Sequence, residues 1–142
     1  MSDLDMELAS GIAAFEAKEF ALAKQLLNPL AEQGNAQAQY RLAIMAQVGL
    51  GMVKNCASAV KWMRAAAGQG LGLAQHGLGF MYLQGECTKT DPAEAAKWFR
   101  LAADQGLSGS QATLATMYEQ GVGVERDLAA ARKWQELAAK SY

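Results

Sequence analysis

The chain has 142 residues, of which 51% are hydrophobic and only 8% aromatic, and its formal net charge is −1. That length suffices for one domain with a continuous core, and the near-neutral charge supplies no basic field for phosphates, which sets nucleic acid aside as a partner. The opening MSDLDMELASGIAAF is acidic where a secretory leader needs a basic start, and no run approaches the ~20 apolar residues of a membrane span. These features predict a cytoplasmic protein. They also predict free thiols at Cys56 and Cys87, whose unlike repeat positions give no recurrent staple.

Repetition dominates the chain. Trp62, Trp98 and Trp134 fall at equal steps of 36 residues, as do Gly49, Gly85 and Gly121, Met45, Met81 and Met117, and Lys61, Lys97 and Lys133. Gly34, Gly70 and Gly106 follow the same step, so the period extends before the first tryptophan. A fixed period in this range marks stacked supersecondary units, none of which can bury its apolar face alone. Abundant alanine suits close helix packing better than a sheet.

The first hairpin, residues 1–34, is predicted to be atypical. Its turn, Ala17-Lys18-Glu19, is shorter than the later ones, and Leu26 stands where they carry tryptophan. A terminal unit meets solvent on one side, so a capping role is expected. Three fuller hairpins follow, at 35–70, 71–106 and 107–142, within a single repeat domain spanning 1–142. In the second of them, Ala74, Leu78, Met81 and Tyr82 recur at the three- and four-residue steps of one helical face, and Gly85 breaks it. Asp91-Pro92 opens the next helix, and Asn55 and Asp127 hold the equivalent N-cap position. Ala59, Ala95 and Ala131 each precede a tryptophan by three residues, so small residue and indole share a face. Trp62, Trp98 and Trp134 are therefore predicted to be structural, with Trp98 the most buried. Four hairpins, hence about eight helices, are expected.

Ala74-x-x-x-Leu78-Gly79-x-x-Tyr82-x-x-Gly85, followed by Asp91-x-x-x-Ala95-x-x-Trp98 and Ala102-Ala103-x-x-Gly106, resembles the Sel1-like repeat, a relative of the tetratricopeptide repeats. Ser110, Leu114, Ala115, Tyr118, Gly121, Gly123, Asp127, Ala131 and Trp134 repeat the pattern. Residues 36–70 depart from it, with Ala43 for the glycine and Ala46 for the tyrosine, and the first hairpin is closer to a tetratricopeptide unit. The resemblance implies an all-α, α-α superhelix, a right-handed solenoid of about four antiparallel hairpins.

Chemistry finds little support. His76 is the only histidine, so neither a His-based metal cluster nor a two-His arrangement is available. Gly49-x-Gly51 and Gly121-x-Gly123 follow helices and lack the lysine–hydroxyl pair of a phosphate loop. No catalytic residue, metal ligand or cofactor is nominated. The recurring methionines suit core gaps, and Gln39, Gln75 and Gln111 suit structural hydrogen bonds to neighbouring backbone.

Recognition is the better reading. In tetratricopeptide-type stacks the first helix of each pair lines the concave face. By that resemblance the face would carry Gln37, Tyr40, Ile44 and Gln47, then Leu73, His76, Phe80 and Leu83, then Ala112, Thr116 and Glu119, with Leu8 and Ile12 at the N-terminal side. Tyr40, Ile44, Gln47, Leu73, His76, Phe80 and Thr116 are the candidate contacts, since apolar and aromatic surface beyond what the core needs marks recognition. The expected function is a non-catalytic adaptor for a protein or peptide. The resemblance implies bacterial relatives among its members, and with them an alternative, an immunity or inhibitor protein acting on a toxin or enzyme. A hydrolase or β-lactam-binding role, suggested by cysteine-rich relatives, lacks their paired cysteines: Glu94 follows Cys87 by seven residues where a partner cysteine belongs. Oligomeric state is left open.

Overall fold

The computed structural model describes residues 2–140; the ends of the first and fourth expected hairpins, at residues 1 and 141–142, lie outside the described residues. Eight α-helices run through the described residues: α1 (Asp3–Glu16), α2 (Phe20–Glu32), α3 (Ala36–Val48), α4 (Cys56–Gly68), α5 (Gly72–Gln84), α6 (Pro92–Asp104), α7 (Ser108–Gln120) and α8 (Leu128–Lys140). They fall into two compact units, Met1–Gln69 and Gly70–Tyr142.

In the N-terminal unit each helix packs on the next, α1 on α2, α2 on α3 and α3 on α4. Ser2 and Asp5 form a capping box that satisfies the free amides at the start of α1. Lys18 takes a left-handed φ of 62°, which closes the short first turn in three residues. Ala14, Ala23, Leu27, Leu30, Ala38, Leu42 and Met45 make the core, with Trp62 packed against it half-buried. Met45 is fully enclosed, as are Met81 and nearly Met117 in the other unit, so these flexible side chains fill gaps.

The C-terminal unit repeats the scheme, with α5 on α6, α6 on α7 and α7 on α8. Phe99 is wholly buried at its centre. Gly79 makes room for it: a Cβ there would lie 2.9 Å from the Phe99 ring. The predicted N-caps all form, with the side chains of Asn55, Asp91 and Asp127 accepting from the amides of Ser58, Glu94 and Ala130 at 3.0, 3.1 and 3.1 Å.

Within each unit one loop that follows the first helix of a Sel1-like hairpin comes very close to the start of a preceding helix. Gly51, at φ 67°, would place a Cβ 2.6 Å from that of Phe20, and Gly123, at φ 73°, 2.2 Å from the carbonyl oxygen of Pro92. At positions 51 and 123 the left-handed backbone and the close contact together call for glycine. Cys87 holds the same register, also left-handed at φ 63°, and Cys56 holds the register of Phe20 and Pro92. Both cysteines are disulfide-bonded, which corrects the expectation of free thiols. Unlike repeat positions rule out a staple recurring in every hairpin, but not a single one.

Candidate functional site

In the N-terminal unit the candidate residues lie on α3. Its buried side is Ala38, Gln39, Leu42, Ala43, Met45 and Ala46; Gln37, Tyr40, Ile44 and Gln47 fall outside that set and are half-buried. Arg41 Nη1 donates to the backbone and side-chain oxygens of Gln37 at 3.1 and 2.7 Å, and its guanidinium lies 6.0 Å from the Tyr40 ring centroid. Burial raises the Tyr40 hydroxyl above its ordinary value, with Arg41 opposing. The phenol therefore stays neutral, a donor at the edge of an apolar face. Leu8 and Ile12 on α1 are also half-buried.

In the C-terminal unit the candidates lie on α5 and α7. Leu73 is 47% exposed, and His76, Phe80 and Leu83 are half-buried, while Ala74, Leu78 and Met81 turn into the core. His76, Phe80 and Phe99 form an edge-to-face cluster with ring centroids 4.9, 5.5 and 5.0 Å apart. Phe80 and His76 thus stand on a buried aromatic floor. Burial pushes the His76 ring below its ordinary value, so the neutral form is favoured. Thr116, Ala112 and Glu119 are exposed on α7, and the Thr116 hydroxyl donates back to the Ala112 carbonyl at 3.2 Å.

His76 Nδ1 lies 2.6 Å from the hydroxyl of Ser110. A serine beside a histidine is the first element of a nucleophilic pair. Here Ser110 is entirely buried, so its oxygen cannot meet a substrate; the contact ties α5 to α7 instead. Among the described residues, no group of three or more His, Cys, Asp or Glu side chains could hold a metal ion, and no helix is long and apolar enough to cross a membrane.

With this geometry in view, the comparisons decide the family. Three copies of the Sel1 repeat match, at residues 36–71, 72–107 and 108–141. The chain belongs to the Sel1 repeat family. A Sel1 repeat protein from Oxalobacter formigenes is 30% identical with a TM-score of 0.90, over 94% of this chain and 55% of that one. The protein c5321, a protective antigen present in uropathogenic Escherichia coli strains and displaying an SLR fold, is 38% identical with a TM-score of 0.91, over 97% of this chain and 30% of that one. The chain thus spans about half of the first relative and under a third of the second. Helicobacter pylori cysteine rich protein B, 20% identical with a TM-score of 0.63 over 83% of this chain and 90% of that one, shares the fold. No curated protein matches the chain. The fold class is the all-α superhelical solenoid of Sel1 repeats, and proteins of this kind are generally protein-interaction modules.

The Sel1 register also explains what sequence reasoning misplaced. Trp98 is only half-buried, and Trp134, at 6% exposure, is the most enclosed of the three tryptophans, contrary to expectation. The residue after the tryptophan fills the core instead: Leu27, Met63 and Phe99 share that register and are all buried, whereas Gln135 is exposed. Alanines 95 and 102 flank Phe99 at i−4 and i+3, the centre of the stripe, and Trp98 lies about 100° round the helix at its margin. The Trp98 indole nitrogen is buried with no hydrogen-bond partner among the described residues. Lys61 lies 4.5 Å from the Trp62 ring centroid and Lys133 5.3 Å from that of Trp134, covering their outer faces. Ser110 is legible in the sequence only as part of the repeat pattern, where it replaces the alanine of positions 38 and 74; its contact with His76 is not.

Proposed function

We propose that residues 1–142 serve as one non-catalytic binding module, an adaptor that holds a protein or peptide partner on the first helices of its Sel1 repeats. Tyr40, Ile44 and Gln47 supply the contacts in the N-terminal unit, and Leu73, His76, Phe80 and Thr116 those in the C-terminal unit. The observation that carries this is the outward stripe of α5, where Leu73, His76 and Phe80 present apolar and aromatic surface over the buried Phe99. Rigid aromatic anchors on a packed floor are what a recognition hot spot requires.

A peptide suits this surface better than nucleic acid, because a net charge of −1 offers phosphates nothing. A non-catalytic role is supported by the inaccessible Ser110 and the solitary histidine. The disulfide-bonded state of both cysteines favours an oxidising compartment over the cytoplasmic location inferred from the N-terminal sequence.

The test is capture of partners by the full chain, followed by titration of the captured protein against Tyr40→Ala and Phe80→Ala. Each variant should bind roughly thirtyfold more weakly, since truncating a desolvated anchor costs about 2 kcal/mol. Helical circular dichroism should remain near wild type. Unchanged binding by both variants would show that the recognition surface lies elsewhere.

A further inference from the structure

The C-terminal unit carries a cleft of about 390 Å³ where α6, α7 and the loop after α7 meet. Leu114 and Ala96, both buried, close its floor. Val124 and Tyr118 are half-buried walls, and Lys97 and Arg100 stand exposed at the rim. A cavity of roughly 150 Å³ already accepts a benzene ring, so a branched aliphatic side chain and a carboxylate fit here together.

The polar side chains of this cleft have only hydrogens to offer. The Arg100 guanidinium donates to the Tyr118 hydroxyl and lies 5.8 Å from its ring centroid. That oxygen is thereby occupied as an acceptor, while the phenol's own hydrogen meets no acceptor among the described residues. Nor does Arg100 pair with a carboxylate among the described residues, which leaves the rest of its planar fork to a ligand. Lys97 meets Glu94 at 3.5 Å, but its side chain is 74% exposed, and so open a pair holds it loosely. Two cations and a hydroxyl hydrogen above an apolar floor select an anion carried on an apolar body. Between α2 and α3 the same registers hold Gln25, Asn28 and Ala46, none of them charged, so the N-terminal unit supplies an internal control.

We propose that this cleft binds the C-terminal residue of a partner protein, one with an aliphatic side chain. Charge and shape together select it. Aspartate and glutamate bring a carboxylate but no apolar group of their own, whereas a C-terminal leucine or valine bears both on one carbon. The carboxylate would take hydrogens from Arg100 and Tyr118, with Lys97 closing from the rim. Hydrogen bonds between a guanidinium and a carboxylate are roughly twice as strong as neutral ones. The side chain would lie against Val124 above Leu114. None of Leu73, His76, Phe80 and Thr116 lines the cleft, so this site and the α5 face can fail independently.

The test is a titration of the ¹⁵N-labelled full chain with N-acetylleucine, a minimal C-terminal residue, followed by nuclear magnetic resonance. Saturable shifts are expected at the Arg100 Nε–H and the backbone amides of Gly123 and Val124, with those of Gly51 and Met52 unmoved. N-acetylleucinamide, which lacks the charge, should bind about tenfold or more weakly, the worth of hydrogen bonds to a charged group. The α-amide of N-acetylglutamate, with its carboxylate on the side chain, should also bind more weakly than N-acetylleucine. Arg100→Gln should bring N-acetylleucine down to the affinity of its amide. Tyr118→Phe keeps the ring, should weaken N-acetylleucine about threefold, and serves as the second variant if Arg100→Gln does not fold. Absence of saturable shifts, equal binding of N-acetylleucine and its amide, or full binding by both folded variants would each overturn the proposal. Tighter binding of hexanoate than of N-acetylleucine would overturn it as well, by assigning the cleft to a free fatty acid.

Discussion

Gln69 donates its side-chain amide to the side-chain oxygen of Gln39 at 2.8 Å. One repeat on, Gln105 does the same to Gln75 at 2.8 Å, and also donates to the carbonyl of Gly70 at 3.0 Å. Gln39 in turn donates to the carbonyl of Ala31 at 3.1 Å, so a buried amide joins the end of α2 to the end of α4. Gln111 makes the matching bond to Ala103 at 3.1 Å. The recurrence of these glutamines therefore reflects a polar clasp within an apolar stack.

Replacing Gln39 by leucine keeps its bulk and deletes both bonds. The Ala31 carbonyl then loses a partner where water is scarce, whereas the exposed Gln69 amide can turn to solvent. A cost of about 1–3 kcal/mol is expected, read as a lower urea midpoint with unchanged slope. Gln37→Leu, on the half-exposed side of the same helix, should stay within about 0.5 kcal/mol.

Phe99 rather than Trp98 should dominate the stability of the C-terminal unit. Phe99→Ala empties a fully enclosed site and should cost about 3–5 kcal/mol. Trp98→Phe removes bulk at the margin together with an indole nitrogen that has no partner, and should cost under about 1.5 kcal/mol. Denaturant unfolding of the two variants measures the contrast; a larger loss for Trp98→Phe would reverse the assignment.

Those two residues also show where the sequence was legible and where it was not. Caps at Asn55, Asp91 and Asp127 are local chemistry, and a strict period announces a shared environment, so the eight helices, the methionine core and the glutamine bonds could be read directly. The core position beside the tryptophan varies in identity, as Leu27, Met63 and Phe99, and so hides behind an invariant neighbour one helical step away. Ser110 is equally hidden, because its partner His76 is a departure from the repeat on another helix. The bonding of Cys56 and Cys87 escapes any argument from equivalent positions. Candidate contacts such as Tyr40 and Phe80 are exceptions to the period, and half-burial is what an anchor and a core margin have in common.

The cysteines offer a direct chemical check. Denatured protein kept free of reductant should take up no alkylating agent at Cys56 or Cys87, and both should be modified after reduction. Mass spectrometry of the intact chain reads the difference. Alkylation before reduction would restore the free-thiol reading and, with it, the case for a reducing compartment.

His76 should make the C-terminal unit sensitive to mild acid. Burial lowers its folded-state value below the ordinary 6.5, whereas the unfolded chain titrates near 6.5. Across the interval below 6.5 the unfolded state therefore binds more protons, and stability falls as the pH falls. Above that interval the ring is neutral in both states and the contribution is complete. The neutral ring also suits Ser110, which donates to Nδ1 when the ring proton sits on Nε2, and protonation removes that acceptor. Urea midpoints at about pH 7.5 and about pH 5.5 should thus differ more in wild type than in His76→Gln, which has no charge to gain. Phe80 and Phe99 stack against the same ring, so acid should also disturb the α5 face, and partner affinity should drop over the same interval. Equal pH dependence in wild type and His76→Gln would place the titrating group elsewhere.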